Sequence, residues 1–224
     1  MLHASAYSQV LLVTKPDTKE KRLVLDYRAL NKCVGHINWP LPNISRMIER
    51  IGALKPKKFA KFDMTNGYWQ FGLAPAVCHQ ATAFITWMEI FVWNRIPMGL
   101  QPAASYFQYC MLMIVLAGLA YVICEGYIDD IIVHGQDNTD LLANLRQVFE
   151  RCRQYRVALF NPKKSKTGLD RIDGVVHQLD ADGIHFSAEQ LSELAEFPTP
   201  VGAKGLRSFL DLANKLPRSC ASLY

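Results

Sequence analysis

The sequence predicts an α+β fold in which an antiparallel sheet is backed by helices, and three stretches predict it. Between the apolar runs 119–124 and 131–133 lies Tyr127-Ile128-Asp129-Asp130, which reads as the tip of a β-hairpin. Upstream, Lys58-Phe59-Ala60-Lys61-Phe62-Asp63 is strand-like and is broken by Asn66-Gly67. Downstream, Leu141, Leu142, Leu145 and Val148 recur at helical spacing, so a helix over about 138–155 is expected to cross the back of the sheet. Strand, helix and strand in alternation make a mixed layer.

Taken from the amino terminus, the first element is a hairpin: Lys15 and Arg22 stand either side of the polar stretch Pro16-Asp17-Thr18-Lys19-Glu20-Lys21. The strand ending in Asp63 follows. Pro102 is well placed to begin a helix, because a helix's first residues need no N–H partner, and that helix runs to about Leu116. Phe107, Cys110, Met111 and Ile114 recur on its core face. The central hairpin comes next, its β-branched Val122, Ile123, Ile128, Ile131, Ile132 and Val133 favouring strands. Either Glu125-Gly126 or the Asp pair forms its turn. After the 138–155 helix the sheet continues through 157–160.

With 224 residues and 50% hydrophobic content, the chain can bury a core as one compact unit, and neither internal repeats nor low-complexity linkers divide it. Its weakest joint lies near 168–183. The six cysteines show no Cys-x-x-Cys spacing, which argues against a zinc site, and no histidine is assigned to catalysis. No secretory signal is visible, so an intracellular setting is expected. Residues 96–124 carry no charge, but prolines, glutamines and a serine interrupt the apolar run before it reaches membrane-spanning length, and no membrane partner is expected.

The net charge of +5 and pI near 8.9 suit a protein that tracks a phosphate backbone. Lys55, Lys57, Lys58 and Lys61 precede Asp63, while Arg151, Arg153, Arg156, Lys163, Lys164 and Lys166 follow the Asp pair. Such clusters fit a grip on nucleic acid; the second fits a solvated mixed-charge helix face equally well.

Two ionised carboxylates on adjacent residues raise each other's pKa unless a cation compensates. An Asp-Asp pair is also ordinary in a solvated turn. Asp63, at the end of its strand, offers a third carboxylate, and three hard oxygen donors suit Mg²⁺ or Mn²⁺. Two such ions about 3.5–4 Å apart support in-line displacement at phosphorus.

These motifs, in order, resemble the reverse transcriptase domain of Ty3/gypsy-like long-terminal-repeat retrotransposons and, more distantly, of retroviruses. The resemblance runs through Arg22-Leu23-Val24-Leu25-Asp26-Tyr27-Arg28-Ala29-Leu30-Asn31, Trp39-Pro40-Leu41-Pro42, the Asp63 motif, Pro97-Met98-Gly99-Leu100, Phe107-Gln108 and Tyr127-Ile128-Asp129-Asp130. It implies a right-hand polymerase with fingers, palm and a partial thumb: fingers over 1–38 and 73–101, palm over 39–72 and 102–183, thumb or connection over 184–224, all one domain.

The resemblance further implies an RNA-directed DNA polymerase in which Asp63, Asp129 and Asp130 are the catalytic, metal-binding triad for two Mg²⁺, or Mn²⁺, ions. Lys15 and Arg22 would clamp the triphosphate, whose β- and γ-phosphates call for charge neutralisation. Asn66, Gly67, Tyr68 and Met98 would complete the nucleotide site, with Tyr68 excluding a 2′-hydroxyl; the residue-level alternative for Tyr68 is a half-buried strand aromatic. Gly99, Tyr127 and His177 would touch primer and template. Implied partners are an RNA template, a DNA or RNA primer, deoxynucleoside triphosphates and the other parts of a Gag-Pol-type polyprotein, in the cytoplasm or a virus-like particle. The chain departs from the pattern at Gln101-Pro102, Val176, Glu89 and Asp211, and after Asn214. A non-catalytic remnant that binds RNA or an RNA:DNA duplex by shape is the alternative expectation.

Overall fold

The computed structural model describes residues 7–14, 21–35, 37, 39–73, 80–157, 160–173, 177–180, 183–186 and 196–214. In chain order, β1 (Gln9–Thr14) and β2 (Lys21–Asp26) form the expected antiparallel hairpin, with Val13 opposite Arg22. Its polar turn, with Lys15, lies outside the described residues. Helix α1 (Arg28–Asn31) is one turn long, and α2 (Ile44–Leu54) is capped by Asn43, whose side chain accepts from the Arg46 amide at 3.1 Å. Strand β3 (Lys58–Asp63) leads into a 3₁₀ turn, Gly67–Gln70. A small hairpin, β4 (Phe84–Ile85) with β5 (Ile90–Phe91), lies beside the amino-terminal one, where the Ser8 amide donates to the Ala83 carbonyl at 2.9 Å.

Helix α3 (Ala103–Tyr109) then widens into π-helix over Cys110–Val115, and the Leu116 amide reaches the Met111 carbonyl at 2.7 Å. The wider turn changes which residues face inward. Phe107, Cys110 and Met111 are buried as expected, but the next inward positions are Leu112, Val115 and Leu116, and Ile114 is 40% exposed. Strict 3.6-residue spacing placed Ile114 in the core because it did not anticipate this widening.

The central hairpin is β6 (Cys124–Tyr127) with β7 (Asp130–Gly135), followed by α4 (Asn138–Gln154). The strand begins later than the apolar run: residues 119 and 121–123 are turns, Ala120 makes an isolated bridge to Cys124, and Tyr121 is left-handed (φ 69°). Its two-residue turn is Ile128-Asp129, not Glu125-Gly126, and Asp130 already lies in the strand, paired with Tyr127. Helix α4 matches its predicted span. Asp137 caps it by accepting from the Asp140 amide, while Leu142, expected on the apolar face, is 65% exposed. In the stretch expected to continue the sheet, Phe160 makes an isolated bridge to Met64, while 158–159 lie outside the described residues.

Strand β8 (Lys166–Leu169) completes a four-stranded antiparallel sheet in the order β6-β7-β3-β8. Gly168, at φ 70°, is the extra residue of a bulge opposite Phe59 and Ala60. Strands β9 (Arg171–Asp173), β10 (His177–Asp180) and β11 (Gly183–Phe186) form a separate three-stranded sheet. Helix α5 spans Gly202–Asn214.

Alternation along the strands sends side chains to both faces of the four-stranded sheet. Ala60, Phe62 and Met64 of β3 and its extension join Ile131 and Val133 of β7 against Phe107, Met111, Leu145 and Val148. On the other face Phe59 and Ile132 pack on Met47, Ile48 and Ile51 of α2, and on Ile172. Phe59 is fully buried, and truncating such a residue to Ala costs about 3–5 kcal/mol. Cys110, Cys124 and Cys152 are free, buried thiols, as small apolar residues would be. Among the described residues no helix is long and apolar enough to cross a membrane.

Candidate active site

The sheet brings the three aspartates to one end. Asp63, last residue of β3, stands directly opposite Asp130, first residue of β7, and the Met64 amide donates to the Asp129 carbonyl at 2.8 Å. The Asn161 amide donates to the Asp63 carbonyl at 2.8 Å, which ties the far side of the site to the same strand end. Asp63, Asp130 and Lys61 share one face of the sheet through strand alternation and register.

Two of the carboxylates have cationic partners. Lys61 Nζ lies 3.3 Å from Asp130 Oδ2, and Lys164 Nζ lies 3.6 Å from Asp63 Oδ2. Asp129 is different, because its Oδ1 is buried without a hydrogen-bond partner among the described residues. Burial, reinforced by the charges of Asp63 and Asp130 and only partly offset by Lys164, pushes the Asp129 carboxyl from 3.8 up to about 6.

A buried oxygen without a hydrogen-bond partner, near two further carboxylates, fits a hard divalent cation in donor chemistry. Among the described residues no group of three acidic, His or Cys side chains is drawn together as a closed metal cage.

Two elements shape the space around Asp129. Asn66 is left-handed (φ 50°) and starts the 3₁₀ turn that brings Gly67 against the aspartate; a Cβ on Gly67 would lie 2.3 Å from Asp129 Oδ1 and 3.0 Å from Phe107. Tyr68 sits on this 3₁₀ turn, not on a strand, with its ring 5.1 Å from that of Phe107. Burial, with the Asp129 charge adding to it, raises the Tyr68 hydroxyl pKa. On the other side, Gln108 donates from Nε2 to the Gly126 carbonyl at 2.8 Å and accepts from the Ile128 amide at 2.6 Å.

Met98 is half-buried and Gly99 is left-handed (φ 92°), lying over the ring of Tyr27. Asn31 holds this segment with its amide, donating to the Gly99 carbonyl and accepting from the Gln101 amide, both at 2.9 Å. Tyr127 is half-buried in the face packed on α2. Arg22 and His177 have described backbones, in β2 and β10, but their side chains, like all of Lys15, lie outside the described residues. The structure thus brings Asp63, Asp129, Asp130, Gly67 and Tyr68 together.

The basic clusters divide. Lys58 pairs with Asp170, and Lys61 with Asp130. Arg153 pairs with Glu150 on an exposed helix face, as the mixed-charge reading has it, whereas Arg151 is partly buried and donates to the Val115 and Ala117 carbonyls. Sequence reasoning did not find the roles of Gln108 or Asn31, nor the bidentate pairing of Arg50 with buried Glu125 at 2.8 Å. For Gln108 the signal was present: a polar amide inside an uncharged, apolar helix must find partners.

Residues 13–197 match the family model described as reverse transcriptase (RNA-dependent DNA polymerase). The chain is 31% identical, over 92% of its own length and 17% of the relative's, to the retrovirus-related Pol polyprotein from transposon 412 of Drosophila melanogaster. It is 29% identical, over 87% of its length and 18% of the relative's, to that from transposon gypsy of the same organism. It therefore spans less than a fifth of either relative. Among solved structures it resembles a foamy viral protease-reverse transcriptase in complex with double-stranded DNA, with TM-score 0.75 and 24% identity over 95% of this chain and 36% of that one. That likeness establishes the right-hand polymerase fold expected from the sequence.

Proposed function

The chain belongs to the reverse transcriptase (RNA-dependent DNA polymerase) family, and from that premise we propose that it extends a DNA or RNA primer on an RNA template by two-metal nucleotidyl transfer. The observation that carries this reading is the meeting of Asp63, Asp129 and Asp130 at one sheet end, with Asp129 Oδ1 buried and unpartnered. Asp63, Asp129 and Asp130 would hold two Mg²⁺ ions, with Mn²⁺ a fitting substitute. When bound, such ions stabilise the attacking and leaving oxygens of an in-line phosphoryl displacement.

The protein's own groups do the rest. Lys61 and Lys164 balance Asp130 and Asp63 until the site is filled. Gly67 lets the nucleotide-facing backbone lie against Asp129, and Tyr68, braced on Phe107, closes the space a 2′-hydroxyl would need. Met98 and Gly99, fixed by Asn31, offer a surface for the base pair being formed, while Lys15 and Arg22 are assigned to the triphosphate. Tyr127 and His177 are assigned to the primer and template. The same proposal places the chain within a longer Pol-type polyprotein acting inside the cell, in the cytoplasm or a virus-like particle, with the subdomain limits given above. The likeness to a foamy viral enzyme solved with a nucleic acid duplex supports a duplex as its partner.

The test is primer extension on oligo(dT)-primed poly(rA) with dTTP and Mg²⁺, beside Asp129→Asn. Extension by the parent and loss in the variant, with duplex binding retained, support the proposal. Duplex binding without extension by the parent contradicts it and favours a binding remnant.

A further inference from the structure

We propose that Gln108 is a positioning residue that holds the Ile128-Asp129 turn in the conformation that keeps Asp129 at the sheet end beside Asp63 and Asp130. The inference rests on the polymerase reading above. Gln108 is fully buried, and both ends of its amide are spent on one hairpin: Nε2 on the Gly126 carbonyl, Oε1 on the Ile128 amide. The two bonds straddle Tyr127 and end one residue before Asp129.

The hairpin needs such a brace for two reasons. Strand β6 is at the edge of the sheet, where alternate carbonyls point away from any partner strand, and the Gly126 carbonyl is taken up by Gln108. Ile128 is β-branched yet left-handed at φ 49°, a conformation that persists only where surrounding contacts impose it. The bond from its amide to Gln108, at 2.6 Å, is such a contact.

The placement of Gln108 also links the two sides of the site. Its neighbour Phe107 packs against Tyr68 and Phe71 and approaches Gly67, whose absent side chain makes room for Asp129. One turn of α3 therefore backs the Gly67-Tyr68 turn with Phe107 and the turn that carries Asp129 with Gln108. The hydrogen bonds of the amide go to backbone atoms and not to the carboxylates, so it acts through backbone geometry.

The test compares the parent chain with Gln108→Leu, which removes both bonds, and Gln108→Glu, which keeps an acceptor for Ile128 but loses the donor for Gly126. Amide hydrogen exchange at Ile128, Mn²⁺ binding followed by electron paramagnetic resonance, and steady-state extension on oligo(dT)-primed poly(rA) are measured below the melting temperature of each variant. Gln108→Leu is expected to speed exchange at Ile128, weaken Mn²⁺ binding several-fold and lower kcat on the order of 100-fold, with the KM for dTTP little changed. Gln108→Glu is expected to fall between parent and Leu on each readout.

Unchanged Ile128 exchange and Mn²⁺ binding in both variants would overturn the proposal. So would losses that vanish on cooling in step with the folded fraction, since a merely structural role moves nothing else. Because exchange at Ile128 does not depend on turnover, a parent that fails to polymerise counts against the polymerase reading, while the exchange result still decides the role of Gln108.

Discussion

Gly67 and Asp129 are in such close approach that a methyl group on Gly67 would sit 2.3 Å from Asp129 Oδ1. The glycine's role is to occupy no space, and the aspartate's position depends on it. Gly67→Ala is predicted to push Asp129 out of line, lowering kcat in primer extension by roughly 10- to 100-fold. Overpacking of this kind costs about 1–3 kcal/mol, so melting should drop modestly with the fold retained. Wild-type turnover in a folded Gly67→Ala variant would show that the aspartate is not held there.

The raised pKa of Asp129 makes a prediction about stability. Its folded value is about 6 against an ordinary 3.8, so the folded chain binds this proton more tightly than the unfolded chain. The contribution therefore favours folding below about pH 4 and is lost as pH rises through 6. Asp129→Asn is predicted to melt higher than the parent above pH 6, with the difference shrinking to nothing below pH 4. Melting curves from pH 3.5 to 8 read this directly; an equal or lower melting temperature for the variant at pH 8 would contradict it.

Lys61 competes with any cation at Asp130, being 3.3 Å from its Oδ2 and itself only partly exposed. A half-exposed pair of this kind is worth about 0.2–1 kcal/mol, so Lys61→Gln is predicted to tighten Mn²⁺ binding about 1.5- to 5-fold at low salt. Titration of the metal against the two proteins is the check, and weaker binding in the variant would mean that Lys61 supports the site in some other way.

Tyr68 is braced by Phe107 at 5.1 Å, which keeps its ring from yielding to a larger sugar. Tyr68→Ala is predicted to raise ribonucleotide incorporation at least tenfold relative to deoxynucleotide, while Tyr68→Phe preserves discrimination, since bulk and not the hydroxyl does the excluding. Ratios of kcat/KM for UTP and dTTP test both.

Much of this was legible from local pattern. The Asp63 strand, the central hairpin and the 138–154 helix follow from alternation, turn residues and helical spacing, which are local properties. Ile114 and Leu142 were misplaced for two different reasons. The π-helical turn after Tyr109 shifts which residues of that segment face inward, and Leu142 lies at the margin of an apolar stripe that spacing alone draws too wide. The turn at Ile128-Asp129 was hard to read because a β-branched residue at positive φ runs against local preference and is sustained by Gln108, twenty residues earlier. The clamp of Asn31 on Gly99 and Gln101 spans 68 and 70 residues and is likewise invisible to any short window. At the site, sequence named the three aspartates, while their unequal environments, two carboxylates facing lysines and one buried without a partner, appear only in three dimensions.

The measurement that tests the central claim most directly is Mg²⁺-dependent dTTP incorporation on oligo(dT)-primed poly(rA) by the parent and by Asp63→Asn, Asp129→Asn and Asp130→Asn, each checked for folding and duplex binding. Incorporation by the parent, with each variant folded, bound to duplex and inactive, is the predicted result. Activity surviving in any of the three, or absent from a parent that binds the duplex, would contradict a polymerase built on these carboxylates.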